Sequence, residues 1–156
     1  MVHLAYCDNT GKKGQRELDL LVQGEKTMIL RGAAGRKIPH SRVFEGEKVY
    51  LMEKGSGEIT AVARVKKVEN HVKLPEEEIL KVLADHQEQL QLTDRQKQRW
   101  HKKCLCLIAL EKVLPLTPPL AFDHQGNMDD WLIVEKIEDV VKGTSIPYNY
   151  DKSRLP

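Results

Sequence analysis

The sequence predicts an α+β fold: a small, mostly antiparallel, partly closed β-barrel with helices flanking its openings. Three observations carry this. Residues Ile59, Ala61, Ala63 and Val65 alternate with Thr60, Arg64 and Lys66, the period-2 pattern of a strand with one buried face. The segment Lys54-Gly55-Ser56-Gly57 just before it is a hairpin turn signal. The remaining elements show no repeated strand–helix–strand alternation, so a doubly wound parallel sheet is disfavoured.

Taken in order, Thr10 to Gly14 is polar, basic and glycine-containing and reads as a loop. Glu17 to Val22 places Leu18, Leu21 and Val22 at helical spacing, and Gly24 stops that short helix. Lys26 to Arg31 reads as a strand. Gly32 to Arg42 holds Gly32, Gly35 and Pro39 and reads as a long exposed loop, the kind of segment that often carries function. Val49 to Glu53 is a strand entered from the Glu45-Gly46 turn, and the hairpin follows.

Pro75 opens a helix with Glu76, Glu77 and Glu78 in its first turn, where the helix dipole favours acids. Ile79, Val82, Leu83 and Leu90 form its apolar stripe, with His86 inside the stripe as a hydrogen-bonded residue. Thr93 with Gln96 forms a capping box that opens a helix from Asp94 to about Lys102. Cys104 to Leu114 is an apolar, β-rich run suited to a strand buried on both faces, ended by Pro115, Pro118 and Pro119. Trp131 to Ile137 is a last extended segment. The Asp123-His124 pair lies in a polar loop before Gly126. The tail from Gly143 to Pro156 has little periodicity. The expected organisation is one domain over 1–156, with a helical insert at about 75–102 and an extended tail at about 143–156.

With 156 residues, 40% hydrophobic and 31% charged, the chain can build a core and is not of disordered composition. The longest apolar run, Cys104 to Leu110, is far short of the ~20 residues that cross a bilayer. The first residues lack a signal-peptide core, and three cysteines, two of them one residue apart, fit a reducing compartment. A cytoplasmic protein without a membrane partner is expected.

Net charge is only +2, so any argument for an anionic partner must be local. Between Gly24 and Arg42, Lys26, Arg31, Arg36, Lys37 and Arg42 face a single carboxylate, Glu25. Cations on glycine-rich backbone suit a phosphate or carboxylate; a solvated surface loop is the plain alternative. A second basic run, Arg95 to Lys103, interleaves Trp100 and His101; stacking on RNA and simple anchoring of the helix both fit, and anchoring is favoured. His101, Cys104 and Cys106 have His-x-x-Cys-x-Cys spacing without an apparent fourth ligand, so buried thiols are preferred over zinc, and no metal or cofactor is expected. Walker, Gly-x-Gly-x-x-Gly and Gly-x-Ser-x-Gly motifs are absent.

The run Gly24-Glu25-Lys26-Thr27-Met28-Ile29-Leu30-Arg31 has a short helix before it and a strand after its start. It resembles the Gly-x-Lys-x-x-Glu-x-Arg signature of the ASCH family of the PUA-like superfamily. Phe44 to Leu51 resembles that family's turn into a barrel strand, and Glu58 to Val65 the strand after it. The resemblance covers about Leu18 to Val113. It implies a PUA-like barrel with a cleft beside the signature loop, faced by Lys26 and Arg31. The implied ligand is single-stranded RNA or a modified nucleoside or nucleotide, held by Gly24, Lys26, Thr27, Arg31, Arg36, Lys37, His40 and Arg42. One departure is clear: Ile29 occupies the glutamate position. It also occupies the threonine position of those family members that hydrolyse acetylated cytidine, and isoleucine can be neither nucleophile nor proton carrier. A hydrolase of RNA or of a modified nucleoside, with Lys26 as its catalytic cation or base, is the alternative function; His40, expected solvated, is a weak candidate base. A protein-interaction domain is the second alternative.

Overall fold

The hairpin at Lys54–Gly57 joins the strands on which the sheet is built. In the computed structural model, which describes residues 1–123 and 130–147, these are β3 (Lys48–Glu53) and β4 (Glu58–His71). The other elements are β1 (Val2–Cys7), α1 (Glu17–Gln23), β2 (Met28–Ala33), α2 (Glu76–Asp85), α3 (Gln87–Leu90), α4 (Asp94–Arg99), β5 (Cys104–Ala121) and β6 (Trp131–Val134), followed by a 3-10 turn at Ile137–Val140. His124, Gly126 and the tail from residue 148 onward, read above as loop and tail, lie outside the described residues.

Among the described residues one six-stranded sheet forms, in the order β2-β5-β4-β3-β1-β6. Every neighbouring pair is antiparallel except β1 with β3, so the sheet is mixed but mostly antiparallel. The sheet curls into a half-barrel. Laid flat, β2 and β6 would stand five strand spacings apart, about 24 Å at ~4.8 Å each. Yet Ile29 of β2 and Ile133 of β6 share one buried cluster. The guanidinium carbon of Arg31 on β2 lies 5.9 Å from the Trp131 ring on β6. Register shifts at three places between β4 and β5 supply the bends, because a bulge locally increases strand twist.

The inner cluster takes Ala61, Ala63 and Val65 from the predicted inward face of β4, and α1 plugs it with Leu18 and Leu21. Ile59 is equally buried but joins a different cluster with Leu4, Met52 and Leu132, because the register shifts between Ile59 and Ala61. The predicted stripe of α2 does cover a core: Ile79, Val82, Leu83 and Leu90 pack with Met28, Leu30, Leu105 and Leu107. Leu90 belongs to α3, a separate turn after a break at His86. His86 is hydrogen-bonded through Nδ1 to the Val82 carbonyl at 2.8 Å. The Thr93 capping box forms as read: Gln96 N–H donates to Thr93 Oγ1 at 3.2 Å and Thr93 N–H donates to Gln96 Oε1 at 3.0 Å.

Several expectations need correction. The run Val2–Cys7, not read as an element from the sequence, is a strand buried between β3 and β6, and its six residues carry no alternation because nearly all are buried. The prolines do not end β5, which continues through Pro115, Pro118 and Pro119 to Ala121. Its partner β2 reaches only to Ala109, so the later part of β5 is an edge, where a missing N–H costs no ladder bond. α4 stops at Arg99 rather than Lys102. The segment 32–42 is exposed only from Ala34 to Lys37; Ile38, Pro39 and His40 turn inward.

The β1–β6 pairing is sealed by a buried histidine. His3 Nδ1 accepts from Trp131 Nε1 at 3.0 Å, which leaves Nε2 to donate to Glu47 Oε1 at 3.0 Å. Burial holds His3 below its ordinary pKa of 6.5, against the opposing pull of Glu47, and burial depresses His40 likewise. Both are therefore neutral in the fold and take up protons on unfolding. Their stabilisation is complete above about 6.5 and is lost as pH falls below it. Thermal unfolding measured down that range should show a falling midpoint, and His3→Gln should flatten the slope; an identical slope in the variant would contradict the assignment to His3.

Candidate functional site

The signature segment enters the barrel between α1 and β2. Gly24 caps α1 in the left-handed region at φ 82°, a conformation that suits glycine, and its N–H bonds back to the Leu21 carbonyl at 3.2 Å. The chain then turns so that Lys26 points inward and Thr27 outward.

Lys26 is 2% exposed and Arg31 6% exposed. Between them stands Glu17, the first residue of α1, itself 5% exposed. Its Oε1 is 3.4 Å from Arg31 Nη2, and its Oε2 is 4.0 Å from Lys26 Nζ. Arg31 also donates through Nη2 to the Tyr6 carbonyl and through Nη1 to its neighbouring Leu30 carbonyl, both at 2.8 Å. Its Nε–H is buried without a hydrogen-bond partner. The guanidinium lies 5.3 Å from the Trp100 ring centroid. Lys26 donates to the Leu90 carbonyl. Burial lowers the Lys26 pKa from 10.5, Arg31 lowers it further, and Glu17 opposes both.

Glu17 was not singled out from the sequence. The signal was present: Glu17 precedes Leu21 by one helical turn, so it shares the apolar face of α1, where a carboxylate needs a partner. The same environment quiets the thiols. Burial and then the Glu17 charge push Cys7 well up, and burial pushes Cys106, which pairs with Arg31 in the β2–β5 register, to about 12.

Two pockets border this cluster. The first, about 260 Å³, is lined by Glu17 and Lys26 with Thr10, Gln15, Gln91, Thr93, Arg95 and Gln96. The second, about 100 Å³, is lined by Arg31, Lys37, His40, Arg99, Trp100 and Asp130 with Gly32, Ala33 and Gly35. Of the residues named from the sequence, Lys26 thus lines one pocket and Arg31, Lys37 and His40 the other. Gly24, Thr27, Arg36 and Arg42 line neither. Arg42 acts instead on His3, whose pKa its charge helps to lower. His40 is 4% exposed rather than solvated: Nε2 donates to the His71 carbonyl at 3.0 Å and Nδ1 meets Ser41 Oγ at 2.8 Å. With both nitrogens engaged it has no free lone pair for a substrate. Arg99 and Trp100, both from the second basic run, reach the second pocket, Trp100 having been read as an anchor of its helix. Arg99 pairs with Asp130 and lies 4.5 Å from the Trp100 centroid. Ile29 is fully buried in the inner cluster, remote in character from any catalytic role.

The burial geometry makes the two cations unequal. Removing Arg31 strips Glu17 of its closer counter-charge and frees the Tyr6 carbonyl. Arg31→Ala should therefore cost about 3–5 kcal/mol, the range for breaking a buried ion pair from one side. Lys26→Met keeps volume and removes a charge that burial already disfavours, so it should cost less than half as much. Chemical denaturation of both variants tests this, and equal losses would contradict it.

No family model matches the chain, and no curated protein sequence matches it significantly. Solved structures do. The crystal structure of ASCH from Zymomonas mobilis superposes with a TM-score of 0.60 at 12% identity, covering 85% of this chain and 88% of that one. Two single-substitution variants of that protein superpose with the same score at 11% and 10% identity, covering 89% and 91% of their chains. The fold is therefore ASCH-like. Among the described residues no helix is long and apolar enough to cross a membrane.

Proposed function

We propose, from this ASCH-like fold, that the chain binds RNA or a nucleotide-like ligand, with the pocket beside Lys26 taking a base or modified nucleoside. One observation carries the reading: a buried ammonium lines a pocket of about 260 Å³, just under the ~300 Å³ at which small-molecule sites begin. An ammonium has three N–H donors. The Leu90 carbonyl takes one, and Glu17 at 4.0 Å is beyond hydrogen-bond reach. The remaining donors suit a carbonyl oxygen of a base. Gln15 and Gln91 supply amide groups on the rim, and exposed Arg95 is placed to meet a sugar or phosphate.

A second reading has its own observation. Burial makes Lys26 release its proton more readily than an exposed lysine. The neutral amine then takes a proton from a water whose oxygen bonds to the acyl carbon, and returns it to the exocyclic nitrogen of the base as the C–N bond breaks, in keeping with a hydrolase. A hydroxyl nucleophile at position 29 has no part in this, since Ile29 has none.

Equilibrium binding of labelled single-stranded RNA and of a cytidine-type nucleoside panel, in wild type and Lys26→Met, tests both readings. The variant should bind at least about tenfold more weakly, the loss of one charge-assisted hydrogen bond, and RNA affinity should fall with salt. Unchanged affinity in folded Lys26→Met overturns the binding reading. Product from acylated nucleosides with wild type but not with the variant would establish the second reading.

A further inference from the structure

The Arg31 pocket is unlike the Lys26 pocket in size, charge and chemistry. Its volume of about 100 Å³ is well under that of the Lys26 pocket and suits a phosphate group. Three cationic side chains reach it: Arg31 from β2, Lys37 from the following loop and Arg99 from the end of α4. One carboxylate, Asp130, lines it as well. Burial alone would raise the Asp130 pKa, but Lys54, at 2.8 Å, and Arg99 outweigh burial and hold it below the usual carboxylate range. Asp130 is therefore already matched by two cations, and one of them, Lys54, is not itself in the pocket.

The decisive feature is the convergence of Arg31, Lys37 and Arg99 on one pocket that holds a single carboxylate. Arg31 lines it while only 6% exposed, and its Nε–H is buried without an acceptor. A phosphate oxygen is the acceptor that a guanidinium recognises best. Gly32, Ala33 and Gly35 complete the lining. A Cβ on Gly32 would stand 2.9 Å from Leu105 Cδ2 and 3.3 Å from the Cys104 carbonyl, so only glycine lets β2 and β5 lie this close behind the pocket.

We infer that this pocket is a phosphate subsite, separate from the Lys26 pocket. It deepens the proposed function and rests on it in one respect: the phosphate belongs to the nucleotide or RNA whose base occupies the Lys26 side. The two pockets share Glu17 as counter-ion. Phosphate charge beside Arg31 therefore offsets the field that disfavours protonated Lys26.

Trp100 reports on the subsite directly, since it lines the pocket while Trp131 is fully buried. Tryptophan fluorescence is titrated with inorganic phosphate against sodium chloride of equal ionic strength, in wild type, Trp100→Phe, Lys37→Ala and Arg99→Gln. Phosphate should change the emission of wild type and not of Trp100→Phe. Lys37→Ala and Arg99→Gln should each weaken the titration by about tenfold. Hexanucleotides with and without a 5′-phosphate then separate the sources: preference for the phosphorylated one marks a terminal monoester, and equal binding with the same dependence on Lys37 marks a backbone diester. No response to phosphate beyond that to chloride, or titrations in both charge variants equal to that of wild type, overturns the subsite. Those results leave the Lys26 pocket untouched, because nucleoside binding and its loss in Lys26→Met are measured apart. Phosphate binding without nucleoside binding would instead keep the subsite and overturn the base-binding reading.

Discussion

The half-barrel closes on one side chain. Arg31 stands on β2, one edge of the sheet, and donates to the Tyr6 carbonyl of β1, which lies next to the other edge. It lies near the Trp131 ring of β6, and ion-pairs with Glu17 of α1. A guanidinium can do this because it is planar, permanently charged and has five donors in a fixed fork. No apolar residue could take its place and satisfy the same carbonyls. The curl, the seat of α1 and the walls of both pockets all follow from that junction.

The junction has a consequence for chemistry. A buried carboxylate needs a counter-charge, and Glu17 has two at unequal distance, Arg31 closer and Lys26 farther. The close partner serves structure. The farther one keeps spare donors and a lowered pKa, which are the properties of a group available for a ligand. The cysteines take no part in this: burial raises Cys106 to about 12 and Cys7 higher than its ordinary value, so both remain thiols.

Local chemistry was legible wherever neighbours in sequence are neighbours in space. The hairpin, the inward face of β4, the stop at Gly24, the apolar stripe of α2 and the Thr93–Gln96 cap depend on residues within a few positions of one another. β1 was not legible, because a strand covered on both faces loses its alternation. The run of β5 through three prolines was not either, since it depends on where β2 ends.

By itself the sequence determined the class of fold and which residues carry charge near the signature. Periodicity, turn residues and caps are short-range properties of the chain. It could not decide whether a cation is a surface contact or a buried anchor. Lys26 and Arg31 share one short segment, yet they open onto different pockets because Glu17, fourteen residues before Arg31, was folded between them. It also could not bring Arg99, Trp100 and Asp130 to Arg31. Those positions come together only when strands distant in sequence pair and the sheet curls, and burial, which sets the worth of each charge, exists only after that closure.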